Sequence, residues 1–240
     1  MADLNDLVGA AGSLRTPGLG DAVGGSSNKE LMRDARMSLS GNWGLAVLGN
    51  FLYVVLLNSV MLFAMVSCVF VAAVSAVAGG GDAAAASSAI YFAAYLFLFL
   101  IGGAAMVGFC GFFLGIAQEG AARLEQLFLG FRHFGKSAGV YFLFMLFYYL
   151  WSLLFIIPGI IAAFRYSMAF FIIADDEDCG PLEAIGRSKE MMKGNKWKFF
   201  CLHWRFVGWY LLASVTGGIG YLWLIPYMQT AFAKFYEDVK

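Results

Sequence analysis

The sequence predicts an all-α membrane protein, and three observations lead to that fold class. The chain is 61% hydrophobic and only 13% charged, whereas soluble proteins average about 45–50% apolar residues. Several apolar runs exceed the roughly 20 residues that a helix needs to cross the hydrocarbon core. These runs alternate with polar segments that hold most of the bases. We therefore predict one helical membrane domain over residues 28–240.

The N-terminal residues 1–27 differ from the rest of the chain. They are rich in glycine, alanine and serine and lack the apolar core of a signal peptide. We expect them to form a flexible tail. Ser27 and Glu30 have the spacing of a capping box, which predicts that a helix begins there. Gly41 suits a left-handed cap at the end of this helix.

The helix predicted over residues 28–42 is amphipathic. Lys29, Arg33 and Arg36 are spaced to share one face. A second set with helical spacing forms an apolar stripe: Leu31, Ala35 and Leu39. Such a helix can lie in the headgroup layer with its bases towards anionic lipid. The alternative is a solvated helix that docks on the protein's own cytoplasmic side.

The first two predicted spans are long. Residues 44–78 contain no charge and exceed one perpendicular crossing, so tilt or a break near Asn58-Ser59 must absorb the surplus. Residues 79–88 are predicted to form a turn. Residues 89–117 are predicted to form the second span, which crosses the membrane in the opposite direction. Its small residues permit close helix contact: Gly102, Gly103, Gly108, Gly111 and Gly115.

A second amphipathic segment is predicted at residues 118–137, where apolar residues follow helical spacing. Residues 138–157 form the third predicted span, and Pro158-Gly159 interrupts it. One straight helix over 138–174 would be about 55 Å long. A tight hairpin or a strong kink is therefore required, and the distribution of charge favours the hairpin.

The acidic run at residues 175–178 predicts a solvated turn. A calcium loop places its ligands at alternating positions, whereas these acids are consecutive. Pro181 fits the first position of a helix over 181–193, which we expect to lie flat on the inner face. Gly194-Asn195 ends this helix. The lysines around the start of the fifth span are predicted to contact headgroups: Lys193, Lys196 and Lys198.

The positions of the bases predict the orientation of the chain. All but three of the 16 lysines and arginines lie in four polar segments: 28–42, 118–137, 175–198 and 234–240. The proposed outer turns contain none: 79–88, 158–159 and 214–220. Six spans in three hairpins, with both termini in the cytoplasm, satisfy this pattern. Four long, bent spans are the alternative.

Several short motifs resemble the C-terminal signature of a bacterial integral membrane family. They include Arg165-Tyr166, Gly194-Asn195-Lys196-Trp197 and Pro226-Tyr227. The family is catalogued as domain of unknown function 975, and Leu39-Ser40-Gly41-Asn42-Trp43 resembles its N-terminal signature. The resemblance covers about residues 29–238 and implies a polytopic protein of the bacterial inner membrane. It implies no catalytic residues.

Arg165 is the polar residue that we expect deepest in the bilayer. It lies ten residues before Asp175, or about 15 Å along a helix, whereas Arg205 is close enough to the interface to snorkel. Because the predicted spans contain no acid, we expect Arg165 to face the bundle interior. Together with Tyr166, Arg205 and Gln229, it forms the predicted intramembrane polar site. Arg165 is expected either to hold kinked helices together or to line a cavity.

Two classes of function fit these features. The first is a non-enzymatic scaffold, lipid-organising factor or accessory subunit with interfacial helices on the cytoplasmic side. The second is a transporter or channel for lipids or small molecules, with a cytoplasm-facing cavity near Arg165. Motifs of intramembrane enzymes are absent from the sequence, and it predicts neither cofactor nor metal. The expected partners are membrane lipids, another protein or a second copy of the chain, but no nucleic acid.

Overall fold

A computed structural model of the chain describes residues 25–78, 83–121 and 123–240, and within these ranges it contains helices and no strands. The predicted tail falls mostly outside the described residues, as do residues 79–82 of the first predicted turn. Helix α1 spans Asn28–Leu39. Its capping box is confirmed, because the Ser27 hydroxyl accepts from the Glu30 N–H while the Glu30 carboxylate accepts from the Ser27 N–H. Gly41 follows with φ +92°.

Helices α2 (Trp43–Ala78) and α3 (Ala83–Glu119) pack against each other in opposite directions. Asn42 donates to the Gly120 carbonyl near one end, and further along the pair Tyr53 stacks on Phe109. The break expected near Asn58-Ser59 is absent from α2. Both side chains instead donate to carbonyls of their own helix, those of Val54 and Leu56, so the backbone bonding continues.

The second half of α3 lies at the centre of the fold, where its glycines admit close neighbours as predicted. The prediction of an amphipathic helix after α3 is corrected by the structure. The chain forms a 3-10 helix, Leu124–Phe128, and a single turn, α4, over Leu129–Arg132. A Cβ built on Gly108 would lie 1.9 Å from the Leu127 carbonyl oxygen. This segment is irregular because its backbone lies directly on α3.

Helices α5 (Phe134–Leu154) and α6 (Ile156–Tyr166) also run in opposite directions. Ser152 lies against Gly159 near their junction, and the Phe147 and Tyr166 rings meet 5.4 Å apart. The predicted interruption at Pro158-Gly159 is displaced, because the chain reverses at Phe155, whose backbone is extended. Pro158 falls in the first turn of α6, where its missing N–H costs no helical bond.

A second interruption follows α6. Residues Ser167 and Met168 separate it from α7, Ala169–Asp175. Arg165 therefore does not share one regular helix with Asp175, contrary to the estimate of its depth from sequence. Residues 157–175 still form a continuous apolar stretch long enough to cross a membrane.

Three helices complete the fold: α8 (Pro181–Met191), α9 (Lys196–Val215) and α10 (Tyr221–Val239). Pro181 is the first residue of α8, as predicted. Gly194, which was predicted to end this helix, has φ +79°. Helices α9 and α10 run in opposite directions, from the contact of Lys198 with Asp238 to that of Ser214 with Tyr221.

Three of the described helical stretches are long and apolar enough to cross a membrane: Trp43–Val77, Ala89–Glu119 and Ile157–Asp175. The remaining predicted spans are helical as α5, α9 and α10 but lie outside this set. Large apolar side chains are exposed along α2 and α3, including Phe63 and Phe92 at 74% and 72%. These exposed surfaces are typical of helices in contact with lipid.

Candidate functional site

Helix α1 packs along α10 through the apolar stripe predicted from the sequence. Leu31, Ala35 and Leu39 are all buried. The Tyr227 hydroxyl of α10 donates to the Met32 carbonyl at 3.2 Å, and Ser26, just before α1, donates its N–H to Asp238 at 2.9 Å. Helix α1 therefore follows the C-terminal half of α10 and starts beside its last turn.

A buried ion pair holds the start of α1 in place. The Lys198 ammonium lies 2.6 Å from the Asp238 carboxylate, and the two side chains are only 3% and 8% exposed. Asn28 donates its side-chain amide to the Lys198 carbonyl at 3.0 Å. The expected headgroup contact of Lys198 is thus replaced by a protein carboxylate, which neutralises the ammonium away from lipid and solvent.

The other predicted headgroup contacts differ in their surroundings. Lys29, Arg33 and Arg36 are exposed on α1, away from its buried stripe. Lys193 is exposed but forms an ion pair with Glu190 at 2.5 Å, and Lys196 is half-buried. The three bases of α1 therefore form the most open cationic surface among the predicted contacts.

An apolar groove lies beside these bases, where α1, α9 and α10 meet. Its volume is about 310 Å³, at the lower end of the range for small-molecule pockets. The groove, called the tryptophan groove below, is lined by residues from four elements: Arg36, Trp43, Trp209, Leu212, Ala213, Thr216, Gly220, Trp223, Leu224 and Tyr227. The Arg36 guanidinium carbon lies 5.5 Å from the centroid of the Tyr227 ring, within the range of a cation–π contact.

The predicted intramembrane polar residues are spread over three helices. Arg165 and Tyr166 are on α6, Arg205 is exposed on α9, and Gln229 is half-buried on α10. Among the described residues, no hydrogen bond or ion pair joins members of this set. The structure therefore does not assemble them into one polar site.

Arg165 is half-buried and lies beside α8. Its carbonyl accepts the Ser188 hydroxyl at 3.0 Å, and its guanidinium carbon is 5.9 Å from the Tyr166 ring centroid. The hydrogen bond from Lys193 is the main cause that lowers the pKa of Glu190, and the charge of Arg165 contributes in the same direction. Glu190 lies outside the predicted spans, so the absence of acids within those spans does not exclude a carboxylate near Arg165.

The part of the chain that forms α6 to α10 is similar to a known family. The family described as Protein of unknown function (DUF975) matches residues 153–240. The resemblance predicted from the sequence is confirmed here, whereas the signature at residues 39–43 precedes the match. Neither a curated protein nor a solved structure matches the chain.

A polar cluster that sequence reasoning missed surrounds Asp175 at the end of α7. Asp175 accepts hydrogen bonds from Lys240, Tyr236 and Gln118, at 2.5, 2.9 and 3.2 Å. Gln118 also donates to Glu237 at 2.7 Å. The cluster joins the ends of α3, α7 and α10, and no short sequence motif connects these positions.

A cleft of about 870 Å³ opens beside this cluster, between α7, α8 and α10. Arg187 lies at its wall and pairs with Asp176 and Glu183, each at 2.8 Å. The hydrogen bond from Arg187 holds the pKa of Asp176 below its ordinary value. Three acids of the run 175–178 therefore have basic partners from the chain itself: Lys240 for Asp175, Arg187 for Asp176 and His133 for Glu177.

Proposed function

We propose that the protein is a non-enzymatic integral protein of the bacterial inner membrane that organises anionic lipid at the cytoplasmic surface. The observation that carries this proposal is the arrangement of α1. Its apolar stripe is buried on α10 while Lys29, Arg33 and Arg36 are exposed. A basic helix held in this way attracts anionic headgroups. The three apolar helices that are long enough to cross a membrane support the same setting.

In this proposal the chain forms three hairpins that open towards the cytoplasm, so both termini lie on that side. The opposite directions of α2 and α3, of α5 and α6, and of α9 and α10 support this arrangement. The described reversals at Phe155 and at residues 216–220 contain no lysine or arginine. Bases concentrate on the cytoplasmic side of inner-membrane proteins, so these reversals point away from the cytoplasm.

The position of α1 limits the depth of the third hairpin. Helix α1 lies beside α10 as far as Tyr227, so Arg36 is near the middle of α10. If α9 and α10 crossed the whole bilayer, Arg36 would lie near the middle of the hydrocarbon layer. An arginine at the centre costs about 2.5–3.5 kcal/mol. We therefore modify the six-span prediction: α9 and α10 enter only the cytoplasmic half of the bilayer, which still leaves both termini inside.

The double substitution K29E/R33E tests the proposed function. We expect it to abolish most of the preference for anionic over neutral lipid, because each base near an anionic surface contributes about 1 kcal/mol. The measurement is the composition of the lipid that copurifies after mild detergent extraction, with wild-type protein extracted in parallel.

The matched control is R123E/K193E, which reverses two exposed bases outside α1. Both already have a glutamate partner, Glu119 or Glu190, so their loss is expected to change the lipid preference little. If the two double variants retain anionic lipid equally well, α1 has no special role and the proposed function is wrong.

A further inference from the structure

The tryptophan groove has a charged end and an apolar end. Arg36 and Tyr227 lie at the first end, and Thr216 and Gly220 lie at the second. Trp209 and Trp223, about half-exposed at 51% and 52%, contribute from α9 and α10. A ligand that fits both ends needs an anionic group joined to a slender apolar chain.

The charged end favours a phosphate. The lining contains Arg36 and no acidic residue, and Arg36 forms no ion pair with any residue that the structure describes. Its contact with the Tyr227 ring leaves the N–H groups of the guanidinium able to donate. An arginine fork matches two oxygens of a phosphate at once. Lys29 and Arg33 on the same helix favour a headgroup of net negative charge.

The apolar end continues into a surface that is itself suited to hydrocarbon. Leu211, Val215 and Ile219 surround the tip of the α9–α10 hairpin and are exposed at 67%, 84% and 63%. In the proposed topology this tip enters the cytoplasmic leaflet. A chain that starts at Arg36 and follows the groove towards Gly220 therefore runs from the headgroup layer into the acyl layer.

We propose that the tryptophan groove holds one anionic phospholipid, with its phosphate on Arg36 and one acyl chain between Trp209 and Trp223. This inference rests on the proposed function, because it assumes that α1 lies in the cytoplasmic headgroup layer. It adds a defined site of one lipid per chain to the general attraction of a basic helix. The aromatic walls exclude water from the chain, and the arginine selects the charge.

The test compares R36Q with R123Q, which removes the same charge from an exposed arginine outside α1 and outside the groove. Wild-type protein in detergent is titrated with phosphatidylglycerol and, separately, with phosphatidylcholine. Native mass spectrometry then counts the lipids that remain bound. We expect one tightly retained phosphatidylglycerol in the wild type and in R123Q, and at least tenfold weaker retention in R36Q.

Two further measurements are needed. One distinguishes binding of a phospholipid from binding of a free phosphate, and the other distinguishes a defined groove from attraction to a charged surface. Glycerol 3-phosphate, which lacks acyl chains, is expected not to displace the lipid. The variant W209A/W223A keeps every charge. It is expected to lose the retained lipid, because the two rings that would contact the acyl chain are removed. Circular dichroism of each variant confirms that its helices are intact.

Each outcome has a definite consequence. If R36Q retains lipid as well as R123Q does, or if W209A/W223A retains it, the defined site is wrong while the lipid-organising role of α1 stands. If glycerol 3-phosphate displaces the lipid, the site recognises a phosphate and not a phospholipid. If K29E/R33E also has no effect on lipid composition, the proposed function fails together with the site.

Discussion

The variant D238A is expected to lose about 3–5 kcal/mol of unfolding free energy, because it breaks a buried ion pair by removing the Asp238 carboxylate from the Lys198 ammonium. The pair is 2.6 Å apart and almost inaccessible to solvent. The same substitution removes the acceptor for the Ser26 N–H, so the start of α1 is released as well. Unfolding in a mixed-micelle titration with a denaturing detergent, followed by circular dichroism, measures the loss.

Two controls identify the cause of this loss. K193A breaks an ion pair of the same type whose side chains are more than half exposed, and exposed pairs contribute about 0–1 kcal/mol. The double variant K198M/D238L replaces the buried charges with apolar groups and is expected to be more stable than D238A. If D238A unfolds like K193A, the pair is not buried in the folded protein and α1 is not fixed in the way described here.

The second large effect is expected for G108A at the contact between α3 and the segment before α5. The new Cβ would lie 1.9 Å from the carbonyl oxygen of Leu127. Gly130 makes the reciprocal contact, since a Cβ there would lie 2.0 Å from the carbonyl oxygen of Ala104. Both obstacles are backbone atoms, so no rotamer change relieves the clash. We expect a loss of at least about 3 kcal/mol, the upper end for overpacking.

The matched control is G208A, a glycine-to-alanine change within another apolar helix. Apart from the adjoining residues and the backbone of its own helix, no heavy atom lies within 4 Å of the Cβ that it would add. This variant is expected to be neutral or to gain about 0.5–1 kcal/mol, because alanine favours helix more than glycine does. Thermal stability in detergent, measured from the loss of monodisperse protein on heating, compares the two. Equal stability of G108A and G208A would contradict the close packing of α3.

The features that the sequence predicts well are those that a few neighbouring residues determine. The capping box at Ser27 and Glu30, the left-handed Gly41 and the first-turn Pro181 all depend on groups within one helical turn. The reversal between α5 and α6 was displaced from Pro158 to Phe155. Proline is accepted in the first turn of a helix, so its position alone does not mark the preceding end.

Features that depend on distant parts of the chain escaped prediction. Residues 124–132 have helical apolar spacing, but contact with the glycines of α3 holds them in a tighter, interrupted form. Lys198 has the position of an interface anchor, and its partner Asp238 lies 40 residues later. Periodicity reports which face of an element is apolar, and it does not identify the element that covers that face.

The candidate site shows the same division. The bases of α1 could be predicted because they recur at helical spacing on one element. The tryptophan groove could not, because Trp43, Trp209 and Trp223 come from three different helices. Each tryptophan taken singly indicates a membrane interface. Only the antiparallel packing of α9 on α10, with α1 beside them, brings the three residues to one groove.

The central claim is that α1 lies in the cytoplasmic headgroup layer, so that the α9–α10 hairpin enters only one leaflet. Cysteine labelling from outside intact cells tests it most directly, using V215C at the hairpin tip and F155C at the α5–α6 reversal, both exposed positions. Cys201, which is half-buried, is replaced by serine in both variants. We predict that a membrane-impermeant maleimide labels F155C and leaves V215C unlabelled. Labelling of V215C from outside would show that the hairpin crosses the bilayer and would contradict this account.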